Sequence, residues 1–377
     1  MKKFLLLFLF YCQVASAQKV KKSDKEIIEN LKSEIGFLSG DRLEGRRTGT
    51  PGEKLAYEYL ADQFKNINLL PKGENNTYIQ PFEIDEGKEV LPSSHLIIND
   101  NELVIHQEYF PFIFSAQGSI QASASPAFLE KGRPWFWDIK EVLEKNLSNP
   151  HFDLESILHN KAIEFAKRGA TSLIIYNTSE KDAELKFEGK QKASSVSIPV
   201  LFITKIAAQK YLDENAGNLE INLQVAIGDK KKEGHNVAGY VDNGAANTII
   251  IGAHYDHLGY GEDHNSLWNG ASAIHNGADD NASGTATVIE LAKLIKKSKL
   301  KNNNYLFICF SGEELGLFGS KYFTKHPTVN MEAVNYMINA DMVGRLNDST
   351  HSLIIGGYGT SPTWGNVFSQ KSKFFKV

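Results

Sequence analysis

Four short segments of the chain carry side chains able to hold metal ions. They are Gly252-Ala253-His254-Tyr255-Asp256-His257, Gly277-Ala278-Asp279-Asp280-Asn281-Ala282-Ser283-Gly284, Ser311-Gly312-Glu313-Glu314-Leu315-Gly316 and Asn339-Ala340-Asp341-Met342. A histidine nitrogen with several carboxylate oxygens suits zinc, which accepts both donor types; cobalt or manganese would also fit. Two metals need a carboxylate that bridges them. The adjacent Glu313 and Glu314 suggest a division of labour, one binding metal while the other takes a proton from water. Asp256, two residues beyond His254, is placed to hold the imidazole from behind. Singly, each feature is ordinary: Asp-Asp often caps a helix, Glu-Glu is often surface charge, and a histidine after a strand is often a core residue. Four together in one region, at predicted strand ends or, for Gly277 to Gly284, opening the predicted helix, point to a metal site.

The elements that must position these residues follow from periodicity. After Gly234 the pattern alternates strand and helix: strands at Asn236 to Val241, Thr248 to Ala253, Tyr305 to Phe310, Asn335 to Ala340 and Leu353 to Gly356, and a helix at Thr285 to Lys296. This predicts an α/β fold, a mostly parallel mixed sheet with helices on both faces, whose ligands gather beyond the carboxyl ends of the strands. Upstream, Ile27, Ile28, Leu31, Ile35 and Leu38 recur at helix spacing, and a second helix begins at Pro51. Between them Ser39 to Thr50 is a loop rich in glycine and charge that either stays solvated or lines a cleft. From about Leu91 to Asp229 the runs become strand-like and β-rich, with one helix-to-strand unit at Ile163 to Tyr176 and a further strand at Ser197 to Ile203. The expected division is a signal peptide at 1–17, a helical amino-terminal part at 18–90, a smaller inserted domain at 91–230, and the metal-bearing domain at 234–377.

Gly-Ala-His-Tyr-Asp, Asn-Gly-Ala-Asp-Asp-Asn-Ala-Ser-Gly, Ser-Gly-Glu-Glu-Leu-Gly-Leu-Phe-Gly-Ser and Asn-Ala-Asp-Met-Val-Gly resemble, in order, the motifs of metallopeptidase family 28. That family holds aminopeptidases and glutamate carboxypeptidase, with glutaminyl cyclases and the transferrin receptor as divergent relatives. Leu43 to Gly52 resembles the family's amino-terminal segment, and the middle region resembles its protease-associated insertion. The resemblance implies a zinc-exopeptidase fold in which His254 and Glu314 bind one zinc, Asp280 bridges, Asp341 binds the second zinc, and Glu313 is the general base. Asp279 is then a neighbour rather than a ligand. The implied reaction is attack of water on a peptide carbonyl polarised by zinc, Glu313 passing the proton to the leaving amine. The family pattern ends with a second histidine on the Asp341 zinc. His351, the one histidine after Asp341, precedes a predicted strand instead of following one and is not expected to serve. The second zinc site is therefore expected to be incomplete and weakly occupied, and Gln370 to Val377, which reads like a helix interior, suggests a longer parent protein.

The implied function is a secreted exopeptidase, an aminopeptidase first, acting on peptides. A carboxypeptidase or dipeptidase of the same family is an alternative, for which Arg345 or Arg46 and Arg47 would supply the cationic groups. A glutaminyl-cyclase-like transferase and a non-catalytic receptor-like homologue are the others. Met-Lys-Lys, the apolar run Phe4 to Cys12 and Val14-Ala15-Ser16-Ala17 have the form of a secretory signal cleaved after Ala17, which places the protein outside the cell or in the periplasm. The apolar run is far short of the ~20 residues of a spanning helix. Two cysteines, Cys12 and Cys309, leave one thiol in the mature chain and no internal disulfide. The formal net charge of −4 falls by two more units when Lys2 and Lys3 leave, so there is no basic footprint for nucleic acid. Oligomeric state has no signature in the sequence.

Overall fold

The run Thr248-Ile249-Ile250-Ile251-Gly252-Ala253-His254 is apolar on both alternating faces and β-branched at its centre, and it forms a strand buried along its whole length. The computed structural model describes residues 22–146, 149, 151–181, 183, 185–212, 217–345, 349, 352 and 354–368. The expected signal peptide, His351, Leu353 and the ending Gln370 to Val377 lie outside the described residues. The chain divides into two units, one built from residues up to Glu83 and from Glu233 onward, the other from Ile84–Lys232.

The first unit is organised by one sheet of six strands, β1 (Leu70–Pro71), β2 (Ile79–Val90), β3 (Ile227–Val241), β4 (Thr248–His254), β5 (Asn304–Phe310) and β6 (Val334–Asn339). Their order is β1-β3-β5-β4-β6, with β2 also paired to β3. β4 runs parallel to both of its neighbours, β5 and β6, whereas β3 is antiparallel to β5 and to β1. The sheet is thus mixed in closer balance than the sequence suggests, and its parallel part is the three strands that precede metal-type residues. Register aligns their ends: Gly252 lies opposite Ile308 on one side and Asn339 on the other.

Helices α1 (Lys22–Leu38), α2 (Pro51–Asn66), α3 (Gly284–Lys297) and α4 (Phe318–Lys325) surround this sheet. α2 begins where Thr50 accepts a hydrogen bond from the Glu53 amide and Pro51 supplies a preset φ. Strand alternation sends Ile249, Ile251, Phe307 and Cys309 to one face, against Leu60 and Phe64 of α2 and Val288 and Ile289 of α3. Ile250, Leu306 and Ile308 face the other way, toward Phe323 of α4. Each such side chain contributes roughly 1.5–3 kcal/mol by burial, so β4 and β5 are a stiff platform. β6 is different: Met337 and Ile338 are 41% and 49% exposed. The strand expected at Leu353 to Gly356 does not form over its described part, since residues 354–356 have no regular structure.

The second unit holds two four-stranded sheets. His95–Ile98, Asn101–Glu102, Gly118–Ala124 and Leu219–Val225 make an antiparallel one; Tyr109–Pro111, Pro134–Asp138, Ser172–Tyr176 and Val200–Ile203 make a mixed one. Leu96, Ile98 and Ile221 pack with Ile174, Leu201 and Ile203 between them. The other face of the mixed sheet buries Leu158, Ala162 and Phe165 of the helix Leu154–Arg168. That helix stops at Gly169, whose φ of 106° ends it in the left-handed region. Among the described residues no helix is long and apolar enough to cross a membrane.

Candidate metal centre

The carboxyl ends of β4, β5 and β6 deliver His254, the turn Ser311 to Glu314, and Asp341 to one edge of the sheet. Asp280 arrives separately, from the irregular turn Ala278–Ser283 that leads into α3. Two groups of three donors result, with ligand atoms within 4.8 Å of one another: His254, Asp280 and Asp341, and His257, Asp280 and Glu314. Asp280 is common to both, the position expected of a bridge. The division differs from the sequence expectation. His254 is grouped with Asp341, not Glu314, because β4 and β6 are neighbours in register, and the partner of Glu314 is His257, which sequence reasoning passed over although it stands in the same segment as His254.

In the first group His254 Nε2 lies 3.2 Å from Asp280 Oδ1 and 3.5 Å from Asp341 Oδ1. Donors around a tetrahedral zinc with bonds near 2.0–2.1 Å are roughly 3.3–3.4 Å apart, so these separations fit one ion. His254 Nδ1 faces the Asp256 carbonyl oxygen at 3.2 Å, with the Asp256 carboxylate 3.7 Å away. That contact puts the proton on Nδ1 and leaves Nε2 as a lone pair aimed at two carboxylates, an arrangement that demands a cation. Without metal the demand falls on a proton: burial works against charging His254, but Asp256, Asp280 and Asp341 outweigh it and push its pKa up to about 12. Asp280 is correspondingly held below the usual carboxylate range, chiefly by its hydrogen bond with His254. His254 is 4% exposed, Asp280 37% and Asp341 46%, so the group is anchored inside and open to solvent on one side.

Asp256 does more than back the imidazole. Its carboxylate accepts hydrogen bonds from the Glu313 amide at 3.2 Å, the Glu314 amide at 3.3 Å and the Thr48 hydroxyl at 3.1 Å. One buried carboxylate therefore fixes both the His254 strand end and the turn that carries the two glutamates. Thr48 also accepts from the Gly312 amide, and Ser311 donates to the buried Glu53, which in turn accepts from the Gly49 and His235 amides. Glu313 belongs to neither donor group. Its pKa is raised, by burial first and then by Asp256, Glu314 and Asp341 against the opposing pull of His254.

The loop Ser39 to Thr50 lies beneath this centre and does not remain a solvated connection. Arg46 is fully buried and donates to the carbonyl oxygens of Tyr255 at 2.7 Å, Asn276 at 2.7 Å, Gly277 at 3.0 Å, and Leu38. These carbonyls belong to the segments that precede Asp256 and Asp280, so one guanidinium ties both to the amino-terminal part. Burial lowers its pKa to about 10, with Asp256, Asp280 and Glu314 acting to raise it, and it stays a cation at neutral pH. Gly45 makes the approach possible: at φ 70°, a Cβ there would lie 2.5 Å from the His275 carbonyl oxygen. Arg47 pairs with Asp263 at 2.7 Å.

Asp279 points away from both groups. Its Oδ1 accepts from the Gly344 amide at 2.9 Å, while Asn281 accepts from the Met342 amide and donates to the Ala340 carbonyl, and Ser283 accepts from the Val343 amide. Three side chains of the Asp280 turn thus hold the backbone on both sides of Asp341. Neither Asn281 nor Arg46 has a sequence signature for this work, because each acts through backbone groups that only folding brings near.

The pattern of Peptidase family M28 matches residues 236–374. An aminopeptidase of Pseudomonas aeruginosa strain UCBPP-PA14 is 29% identical over 191 residues, 50% of this chain and 32% of the relative. Aminopeptidase YwaD of Bacillus subtilis is 28% identical over 195 residues, 49% of this chain and 37% of the relative. The chain spans about a third of the length of these relatives. Among solved structures, the aminopeptidase from Aneurinibacillus sp. strain AM-1 is similar at 25% identity and a TM-score of 0.38, over 84% of this chain and 70% of that one. BSAP, a zinc aminopeptidase from Bacillus subtilis, is similar at 20% identity and a TM-score of 0.38, over 85% and 70%. All four metal-type segments fall inside the matched residues; the Arg46 loop falls outside them.

Proposed function

We propose that this chain, whose residues 236–374 match the pattern of peptidase family M28, is an exported, zinc-dependent aminopeptidase that removes amino-terminal residues from peptides. The observation that carries the reading is the pair of donor groups sharing Asp280, with Glu313 beside them and uncommitted to either. His254, Asp280 and Asp341 would hold one zinc, and Asp280 with Glu314 would hold the other. When bound, the ions polarise the scissile carbonyl and acidify the attacking water. Glu313 takes the proton of that water at its carboxylate and returns it to the nitrogen of the leaving amine. Asp256 keeps the backbone of Glu313 and the ring of His254 in fixed relation throughout. The unit Ile84–Lys232 corresponds, in this reading, to the protease-associated-like insertion expected at 91–230.

An aminopeptidase needs acidic groups for the substrate's terminal amine, and this site is dominated by carboxylates. A carboxypeptidase needs cations for a terminal carboxylate. Arg46 spends its donors on backbone carbonyls and Arg47 is paired with Asp263, so neither is presented to a substrate. The test is a pair of assays, one on an aminoacyl amide with a free amine and one on an amino-blocked dipeptide. Cleavage of the first alone is expected, with about 10²–10⁴-fold loss in Glu313→Ala. Cleavage of the blocked substrate alone overturns the aminopeptidase reading, and full activity in Glu313→Ala removes the base.

A further inference from the structure

Between β4 and the Asp280 turn the chain makes a long excursion, residues 258–276, whose tip is apolar. Leu267 is 98% exposed and its neighbour Trp268 61% exposed. Single exposed apolar residues are ordinary; two adjacent ones on a loop fastened to a candidate metal centre call for a ligand. We infer that Leu267 and Trp268 are specificity-determining residues that take an apolar side chain of the peptide substrate. The inference rests on the aminopeptidase reading above and deepens it.

Three observations carry it. First, the loop is tied to the centre. Asn265 Nδ2 donates to the Glu314 carbonyl oxygen at 3.2 Å. Two residues earlier, Asp263 accepts from Nε and Nη2 of Arg47 at 2.7 and 2.9 Å, both side chains being mostly buried. At the base the Gly259 amide donates to the Gly45 carbonyl oxygen, and the His275 amide to that of Gly259. A residue spans at most about 3.6 Å of chain, so the α-carbon of Leu267 lies within about 7 Å of that of Asn265, and Trp268 within about 11 Å. The apolar pair is therefore held near the backbone of Glu314.

Second, the indole is seated. Its Nε1 donates to the Ala271 carbonyl oxygen at 2.9 Å, and the Trp268 amide donates to Ser266 Oγ at 3.0 Å. The ring lies against Gly270, where a Cβ would stand 2.4 Å from Cζ2, 2.6 Å from Cε2 and 2.8 Å from Nε1. The polar atom is satisfied inside the loop while much of the carbon surface faces solvent. An aromatic surface already fixed in this way takes a ligand with little further loss of side-chain entropy. Third, the chemistry is complementary to that of the centre. The donor groups are carboxylates and imidazoles, suited to the amine, the carbonyl and the water of the reaction. Leu267 and Trp268 carry no charge and the indole N–H is spent on Ala271, so what remains to offer is apolar area, which an aliphatic or aromatic side chain matches.

The test compares three substrates with free amines: leucyl-alaninamide, alanyl-leucinamide and alanyl-alaninamide. On the zinc-loaded full chain, kcat and KM are measured for the wild type, Trp268→Ala, Leu267→Ala and Gly270→Val, with thermal melts to verify folding. The wild type should prefer a leucine-bearing substrate to alanyl-alaninamide. Trp268→Ala should cut that preference about tenfold, as expected for uncovering part of a leucine side chain, by raising KM while kcat holds. Leu267→Ala should act in the same direction. Gly270→Val keeps the indole but pushes it off its seat and should reproduce the loss. A loss on leucyl-alaninamide places the amino-terminal side chain on the pair, and a loss on alanyl-leucinamide places the second one there. A preference absent from the wild type, or unchanged in Trp268→Ala, overturns the inference. So does an equal fall in kcat on all three substrates, which would make the loop only a support for Glu314; in each case the aminopeptidase reading stands. A wild type that hydrolyses none of the three removes that reading and this inference with it.

Discussion

The two donor groups share Asp280 and little else. The His254 group joins two adjacent strand ends, and its donors already stand at the spacing of ligands around a single ion. Its outer member, Asp341, follows the exposed strand β6, and the backbone around it is held by the side chains of Asp279, Asn281 and Ser283. The His257 group is more enclosed, with its histidine and glutamate on turns fastened by Asp256, Arg46 and the close approach of Gly277. Its histidine and glutamate stand 2.7 Å apart, at hydrogen-bond distance. The difference teaches that strand register brings two of the three donors of one candidate position together, whereas its neighbour depends on hydrogen bonds between turns.

The largest effect that would break this comparison is expected from Asp280→Ala. Removing the shared carboxylate should empty both positions and abolish hydrolysis, whereas Asp341→Asn should release only the ion of the His254 group. Metal analysis of the two variants checks this; equal loss in both would mean that the groups are not separate. Next, Arg46→Met removes the cation that ties Tyr255, Asn276 and Gly277 to the amino-terminal loop. Several buried carbonyls lose their donor, each at about 1–3 kcal/mol, so a large fall in melting temperature should appear. In variants that remain folded, zinc affinity should weaken at both groups. A melting temperature within two or three degrees of the wild type would show that the loop is not held this way.

The smallest effect concerns the support beneath Ser311. Burial pulls the pKa of His235 down, but Glu53 and Glu233 outweigh this and leave it raised above 6.5. The protonated ring is thus favoured in the folded chain. Its contribution is complete below the unfolded value and is lost as pH rises through the raised folded value. Melting curves across that range should show a modest decline that disappears in His235→Gln; a decline that persists would assign it to another group.

Much of this centre is legible before folding is considered. His254, Asp280, Glu313, Glu314 and Asp341 stand out because each follows an apolar run or opens a helix, and the structure brings all five to the edge that strand polarity predicts. Arg46 and Arg47 show the limit. As a charged pair in a glycine-rich loop they read equally well as solvated or as substrate-facing, and burial decides otherwise because their partners lie far along the chain. The strand expected from Leu353 does not form over residues 354–356 for a related reason: a short apolar run becomes a strand only where a neighbour offers hydrogen bonds.

Residue types and their spacing therefore pointed by themselves to a candidate metal centre, to the segments that build it and to where on a sheet it would lie. Local periodicity and donor chemistry are properties of short stretches. Only the tertiary structure decided which of these donors stand together. That grouping follows from the register of β4 against β6 and from the contact of His257 with Glu314 and Gly277, both of which depend on packing between residues tens of positions apart.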